Sequence, residues 1–204
     1  MLIIDTQYFA PIITYKNSIE QKYITIEQYE HWQKLGFRNR CVIAGANGLI
    51  NLSIPVAGGR HSKHLIRDVK IDNNAPWQMI HWRSIISAYN RSPWFDQYKD
   101  EIEVFYNAKY IWLRDWNLSL FEWSLKKLGF QPEIRFTENW KKDYPEDEGI
   151  DYRGKVLPNN YETFAADCPV YRQVFEDRHG FFPNVSIIDL LFCEGPHAAQ
   201  KLKD

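Results

Sequence analysis

Two groups of residues have the chemistry to act on a substrate. The first is His81, within Trp77-Gln78-Met79-Ile80-His81-Trp82. Imidazole exchanges a proton near neutral pH, so a histidine beside a substrate can serve as general base. The second is the run Arg38-Asn39-Arg40. Guanidinium and carboxamide N–H groups held side by side present fixed donors to an anion or a carbonyl oxygen. His81 also has a plainer reading, because a lone histidine on an apolar face is more often a hydrogen-bonded core residue.

The elements that must position these groups are legible. Arg38-Asn39-Arg40 opens a hairpin that runs to Val56. Ala46-Asn47-Gly48 is its turn, with Asn-Gly accepting positive φ at low cost. In the second strand Leu52 and Ile54 face one way and Asn51 and Ser53 the other. His81 belongs to a helix whose stripe is Trp77, Ile80, His81, Ser84, Ile85, Ala88 and Tyr89. Asn74 is the expected cap of that helix and Pro76 fits its first turn. The mechanism requires that this helix pack on the hairpin, so that His81, Asn39 and Arg40 line one cavity.

The rest of the chain supplies a scaffold. Leu2-Ile3-Ile4 reads as a buried first strand, and the loop after it carries Gln7 and Tyr8. Open α/β sheets place ligands just past the carboxyl ends of their strands, which makes Gln7 and Tyr8 candidates. The spacing predicts a helix over 12–19, a strand over 22–26, a helical turn over 27–35 and a strand over 66–72. Ser92-Pro93 restarts a helix with Phe95, Tyr98, Ile102 and Phe105 inside. The longest helix covers 109–128 and stops at Gly129. Strands follow at 134–137 and 171–175. Ser186 caps a final buried helix with Asp189 in its first turn, ending at Gly195-Pro196. Residues 138–158 are charged and breaker-rich and read as a mobile loop. The Gly58-Gly59 loop, with Arg60, His61, Lys63 and His64, could close over an anion or be simply solvated.

Composition bounds the function. The 204 residues suggest one domain. Lys plus Arg is 25 against 26 acids, which removes the basic field needed for a nucleic-acid backbone. Three widely spaced cysteines, Cys41, Cys168 and Cys193, offer no metal-ligand spacing and fit a reduced, cytoplasmic protein. Cys41 in an apolar strand reads as a structural thiol. No signal peptide or membrane span is expected. No Gly-x-Ser-x-Gly elbow and no Walker or Rossmann phosphate loop occurs, so no cofactor is expected. The fold class is α/β (α+β): a mixed sheet including the hairpin, packed with amphipathic helices. Aromatics at 16% make an aromatic core or the walls of a sugar or nucleotide pocket.

Taken together, several of these motifs resemble the WbqC-like family. They are Arg38-Asn39-Arg40 with Asn47-Gly48 and Ile54-Pro55-Val56, Val69-Lys70-Ile71-Asp72 with Trp77 and His81-Trp82, and Tyr89 before Pro93. Tyr171-Arg172-Gln173-Val174-Phe175 and Ser186-Ile187-Ile188-Asp189-Leu190-Leu191-Phe192 with Gly195-Pro196 complete the set. The form is similar to the shorter branch found in Bacteroides-type bacteria. The resemblance implies a place in surface-polysaccharide (O-antigen) biosynthesis, as an acyl or aminoacyl (glycine-type) transferase acting on a nucleotide- or lipid-linked amino sugar. The alternative is a non-catalytic module that binds a sugar nucleotide or a carrier protein. Asn47, Tyr89 and Gln173 then join Gln7, Tyr8, Arg38, Asn39 and Arg40 as expected substrate contacts. Asp72 would orient His81 as the base. Many relatives open with a His-Gln-Pro-x-Tyr pattern, where this chain has Ile4-Asp5-Thr6-Gln7-Tyr8. The absent His leaves His81 as the candidate base.

Overall fold

A computed structural model of the chain describes residues 1–34, 36–58, 64–145 and 147–204. Most of the expected basic loop, including Arg60, His61 and Lys63, therefore lies outside the described residues. Strand β1 (Leu2–Asp5) is apolar and buried throughout. A loop carries the chain into α1 (Ile12–Ser18), which returns it to β2 (Tyr23–Glu27), parallel to β1 in the register Leu2 to Ile24 through Asp5 to Glu27. This β-α-β unit is extended on one side by β5 (Glu133–Phe136) and on the other by β6 (Ile150–Asp151). The sheet order is β5-β2-β1-β6, and every pairing is parallel.

The hairpin forms as the sequence predicts, but as a sheet of its own. Strands β3 (Arg40–Gly45) and β4 (Gly48–Ser53) pair antiparallel, Arg40 opposite Ser53 and Gly45 opposite Gly48. The positive φ of the turn falls on Gly48, at 104°, rather than on Asn47. Glycine has no Cβ to clash there, so it takes the left-handed position.

Three long helices follow: α2 (Trp77–Tyr89) packs on β3, α3 (Phe95–Asn107) packs on α2, and α4 (Leu113–Lys127) packs on the 3-10 turns at Phe37–Asn39 and Ile66–Asp68. Helix α4 starts four residues later than the expected 109, and its stripe Leu113, Trp116, Asn117, Leu120, Phe121, Ser124 and Leu125 is buried, as is Leu128 just beyond it. Its end is a Schellman arrangement: Gly129 has φ 75°, its N–H donates to Lys126 and the Phe130 N–H donates to Leu125. Helix α2 starts one residue later than Pro76, with no side-chain cap; Asn74 instead donates to Asp72 from both its backbone and its amide. Helix α3 likewise starts at Phe95, and Tyr106 rather than Phe105 is its fourth buried residue. The chain closes with α5 (Glu176–His179), α6 (Ile187–Glu194) and α7 (Ala198–Lys203). The Ser186 hydroxyl accepts the Ile188 N–H, as a cap should.

Three expected elements are absent, each for a stated reason. Residues 28–34 hold bends at Tyr29 and Glu30 instead of a helical turn, because Glu27 folds back to accept the Tyr29 N–H and Glu30 turns inward to Arg38. Residues 66–72 hold a 3-10 turn, Ile66–Asp68, and two isolated bridges, Lys70 to Trp112 and Val56 to Ile71. Residues 171–175 are irregular, since the Gln173 carboxamide rather than a strand backbone pairs with the Phe182 N–H and carbonyl, and no neighbouring strand among the described residues is engaged.

The core is aromatic. Trp116 is fully enclosed, and Trp77, Tyr106 and Tyr110 stand edge-on to it at 5.1–5.2 Å between ring centroids. Edge-to-face packing suits the ring quadrupole. Trp140 is the exception among the tryptophans, 55% exposed.

Candidate functional site at the carboxyl ends of the parallel strands

Three of the four parallel strands end in an acid that follows an isoleucine: Ile4-Asp5, Ile26-Glu27 and Ile150-Asp151. Parallel pairing puts these ends side by side. Ile4 and Ile26 anchor in the core, Ile150 at the sheet edge is exposed, and the three carboxylates gather at the strand ends. Strand order reverses at β1, whose neighbours β2 and β6 are reached in opposite directions, and such a point leaves a crevice at the carboxyl edge.

Two arginines close over the acids. Arg38, on a 3-10 turn (Phe37–Asn39), is 2% exposed. Its Nε and Nη2 donate to the two Glu30 oxygens at 2.6 and 2.5 Å, and Nη2 lies 3.7 Å from Asp5 Oδ2. Asn117 anchors the turn by donating to the Arg38 carbonyl at 2.7 Å. Arg153 forks onto Asp151 at 2.8 and 2.7 Å. Its Nη1 donates to Glu27 at 3.0 Å and to the Lys141 carbonyl at 2.9 Å. Glu27 also accepts the Thr137 hydroxyl. Asp5 Oδ1 accepts from Gln7 and from the Gly154 N–H, while Oδ2 has no hydrogen-bond partner.

Burial pushes the Glu30 carboxyl up from its ordinary value, the Arg38 guanidinium pulls it back, and Asp5 and Glu27 add to the rise. Burial alone would lower Arg38, but Asp5 and Glu30 outweigh it and hold the guanidinium charged. The Arg153 hydrogen bonds hold Asp151 below the usual carboxylate range.

Above this floor opens a cavity of about 410 Å³, lined by Glu30, His31, Arg38, Trp140, Asp151 and Arg153 among others. An apolar recess of about 360 Å³, lined by Tyr29, His31, Leu65, Asn139 and Trp140, shares the His31 and Trp140 wall. The combination is an aromatic plate beside fixed charges. A sugar ring can lie on the one while a charged substituent meets the other. Among the described residues no group of His, Cys, Asp or Glu could hold a metal ion.

The residues expected from the sequence are dispersed around the fold. Arg38 lines the crevice, and Gln7 lies beneath it, donating to Asp5 and accepting the Thr14 hydroxyl. Asn39 is stitched into the hairpin base, donating to the Ile54 carbonyl at 2.8 Å. Arg40 is half-buried at the start of β3, and Asn47 is exposed at the hairpin tip. Tyr89 and Gln173 meet at Asp189, which accepts Tyr89 at 2.7 Å, Tyr171 at 2.6 Å and Gln173 at 3.0 Å. Asp189 thus takes side-chain donors in the core instead of acting as a helix-capping acid.

His81 lies on α2, which packs against β3 of the hairpin. It is 4% exposed, covered by Tyr8 in a parallel stack and by Trp77 edge-on. Its Nδ1 meets the Tyr8 hydroxyl at 3.1 Å, and that hydroxyl meets Tyr106 at 2.5 Å. Burial drives its pKa down to about 4. Asp72 is bonded to Asn74 instead of to the imidazole. The Asp72–His81 pairing is therefore not formed, and His81, Asn39 and Arg40 do not share an opening. Cys41 and Cys168 are buried, with burial raising both thiols to about 12; Cys193 is raised further.

The crevice residues that the sequence reasoning passed over are Glu30, Trp140, Asp151 and Arg153. Asp151 carried a signal, the repeated isoleucine-acid ending of the strands, and the other three carried none.

No curated protein and no solved structure matches the chain. The model of the WbqC-like protein family matches residues 7–150, from the loop after β1 to the first residue of β6. That span holds Glu30, Arg38 and Trp140, and stops just short of Asp151 and Arg153. It exceeds half of the 204 residues, and the chain belongs to the WbqC-like protein family.

Proposed function

We propose that the protein binds an amino sugar, in nucleotide- or lipid-linked form, in the crevice at the carboxyl ends of its parallel strands. The setting is surface-polysaccharide (O-antigen) biosynthesis, in the shorter Bacteroides-type branch of the family and in the cytoplasm. The observation that carries the reading is the exposed Trp140 standing beside the buried Glu30–Arg38 pair and the half-buried Asp151–Arg153 pair. The ring supplies a face for the apolar side of a pyranose. The carboxylates attract the amino group, and the arginines and Lys142 receive phosphoryl or carbonyl oxygens.

Acyl or aminoacyl transfer at this site is a second reading, favoured by the raised Glu30 carboxyl. The sugar nitrogen attacks the carbonyl of a thioester or ester donor. The N–C bond forms, the nitrogen's proton passes to Glu30, and the departing thiol or alcohol takes that proton as its bond to the carbonyl carbon breaks. Arg38 and Arg153 stabilise the oxyanion. The sealed His81 has no part in this scheme.

The test is calorimetric titration with nucleotide-linked amino sugars. Binding that falls roughly tenfold in Trp140→Ala fits loss of one stacking contact of one to two kcal/mol. Equal binding by that variant removes the crevice from the proposal. Mass spectrometry of mixtures with aminoacyl or acyl donors separates the two readings. An amide product that Glu30→Gln abolishes and His81→Ala retains supports transfer, and saturable binding without product supports the non-catalytic module.

A further inference from the structure

A second cavity, of about 390 Å³, opens where the α2–α3 connection meets the segment before α6. None of its lining residues lines the crevice. Three arginines, Arg91, Arg172 and Arg178, converge on it. Their charges are unequally satisfied. Arg172 meets Asp177 at 2.5 Å and Glu176 at 3.8 Å. Arg178 lies over the Phe175 ring, 5.7 Å from its centroid, and has no carboxylate partner among the described residues. Arg91 likewise has none among the described residues. Asp177 lines the cavity and Glu176 stands against Arg172, so three guanidinium groups face two carboxylates there.

The backbone beneath these side chains is fixed. The Gln173 carboxamide donates to the Phe182 carbonyl and to Asp189, and its oxygen accepts the Phe182 N–H at 2.8 Å. Gln173 also takes part through its N–H, which donates to Glu176. The other wall is held by Ser92, whose N–H and hydroxyl both reach the Tyr89 carbonyl at 2.8 Å, and by Trp94, whose N–H donates to Phe192. The arginines therefore project from two braced turns. Guanidinium groups gathered in one concavity repel one another, and an anion with several oxygens relieves the repulsion by accepting several forks at once.

We infer that this cavity is an anion site that takes a phosphoryl group, best matched by a diphosphate. The inference is independent of the proposal for the crevice. A diphosphate offers enough oxygens for the unpaired Arg91 and Arg178 while Arg172 stays with Asp177. The phosphoryl group can belong to a soluble metabolite or to a lipid headgroup, and two arms of one experiment separate these sources.

The full chain is titrated with pyrophosphate at 150 mM salt by calorimetry, and sedimented with vesicles containing phosphatidate. The expected result is saturable binding in one arm that weakens by roughly tenfold or more in Arg91→Ala/Arg178→Ala. Both arginines are exposed and bear no structural contact beyond the Phe175 ring, so the variant keeps its fold. Lys22→Ala/Lys126→Ala, which removes two exposed lysines that line neither cavity, should bind as the parent does. Absence of saturable binding in both arms overturns the inference. So does binding that the arginine variant retains, or that the lysine variant loses equally.

Discussion

Arg38 grips Glu30 through two parallel hydrogen bonds, Nε to Oε1 at 2.6 Å and Nη2 to Oε2 at 2.5 Å, while its second nitrogen lies 3.7 Å from Asp5. The three side chains are almost wholly removed from water, so the removal of one partner exposes the others' desolvation cost. The effect is unequal. Arg38→Met leaves two buried carboxylates facing each other and should cost ~3–5 kcal/mol. Glu30→Gln leaves Arg38 with Asp5 and should cost clearly less. Urea unfolding of both variants checks the order.

The imidazole of His81 should stay neutral throughout the physiological range. Its pKa in the fold is about 4, below its ordinary 6.5, because burial disfavours the charged ring. The unfolded chain therefore binds the proton first. The stability that His81 contributes is complete above about pH 6.5 and is lost as pH falls toward 4 and below, by up to about 3 kcal/mol. NMR titration of the ring nitrogens should show no protonation between pH 8 and 5.5. The acid limb of the stability profile should flatten in His81→Gln.

Asp189 is buried and its carboxyl is raised by burial, while three donors from Tyr171, Tyr89 and Gln173 work against that rise. Removing a single hydroxyl leaves the carboxylate short of one charged hydrogen bond. Tyr89→Phe and Tyr171→Phe should each lower stability by ~1.5–3 kcal/mol, measured by denaturant unfolding. A loss below about 0.5 kcal/mol in both would mean that the acid is satisfied without them.

Two glycines with positive φ should respond differently to alanine. Gly129 has φ 75° and open space around its Cα. Gly129→Ala then carries only the left-handed penalty, ~1 kcal/mol. Gly195 has φ 55°, and a methyl group there would overlap the Trp94 ring. Gly195→Ala should therefore be markedly more destabilising, with the gap visible in thermal midpoints.

Arg153 ties the 141–142 backbone to the sheet through the Lys141 and Lys142 carbonyls. This guanidinium is the fastening of that stretch of backbone beside the crevice. Arg153→Ala should speed tryptic cleavage after Lys141 and Lys142 several-fold, and a crevice ligand should slow cleavage of the parent protein. Equal cleavage of the two proteins would show that the fastening is idle.

Much of the architecture could be read from residue pattern. The α4 stripe, the β1 and β2 strands, the hairpin and the Ser186-capped helix all announce themselves locally, since each depends on contacts within a few residues. Misreadings arose where alternation had a non-local cause. Tyr171 and Gln173 alternate because both serve Asp189, and Val69 and Ile71 because each flanks an isolated bridge. The crevice shares this difficulty. Glu27 and Arg153 meet across 126 positions of sequence, and only the parallel stacking of strands makes them neighbours. His81 attracted notice by residue type, but solvent access was a property of Tyr8 and Trp77 around it.

The brevity of β6 has its own consequence. Its two residues are held to β1 by the Ile150 N–H on Met1 and the Tyr152 N–H on Ile3, at 2.9 and 2.8 Å. So short a ladder can detach while the interior strands stay zipped, because sub-global opening needs only the local bonds to break. Deuterium should enter the amides of Ile150 and Tyr152 well before those of Ile4 and Ile26. One wall of the crevice is thereby the part of the sheet that yields first.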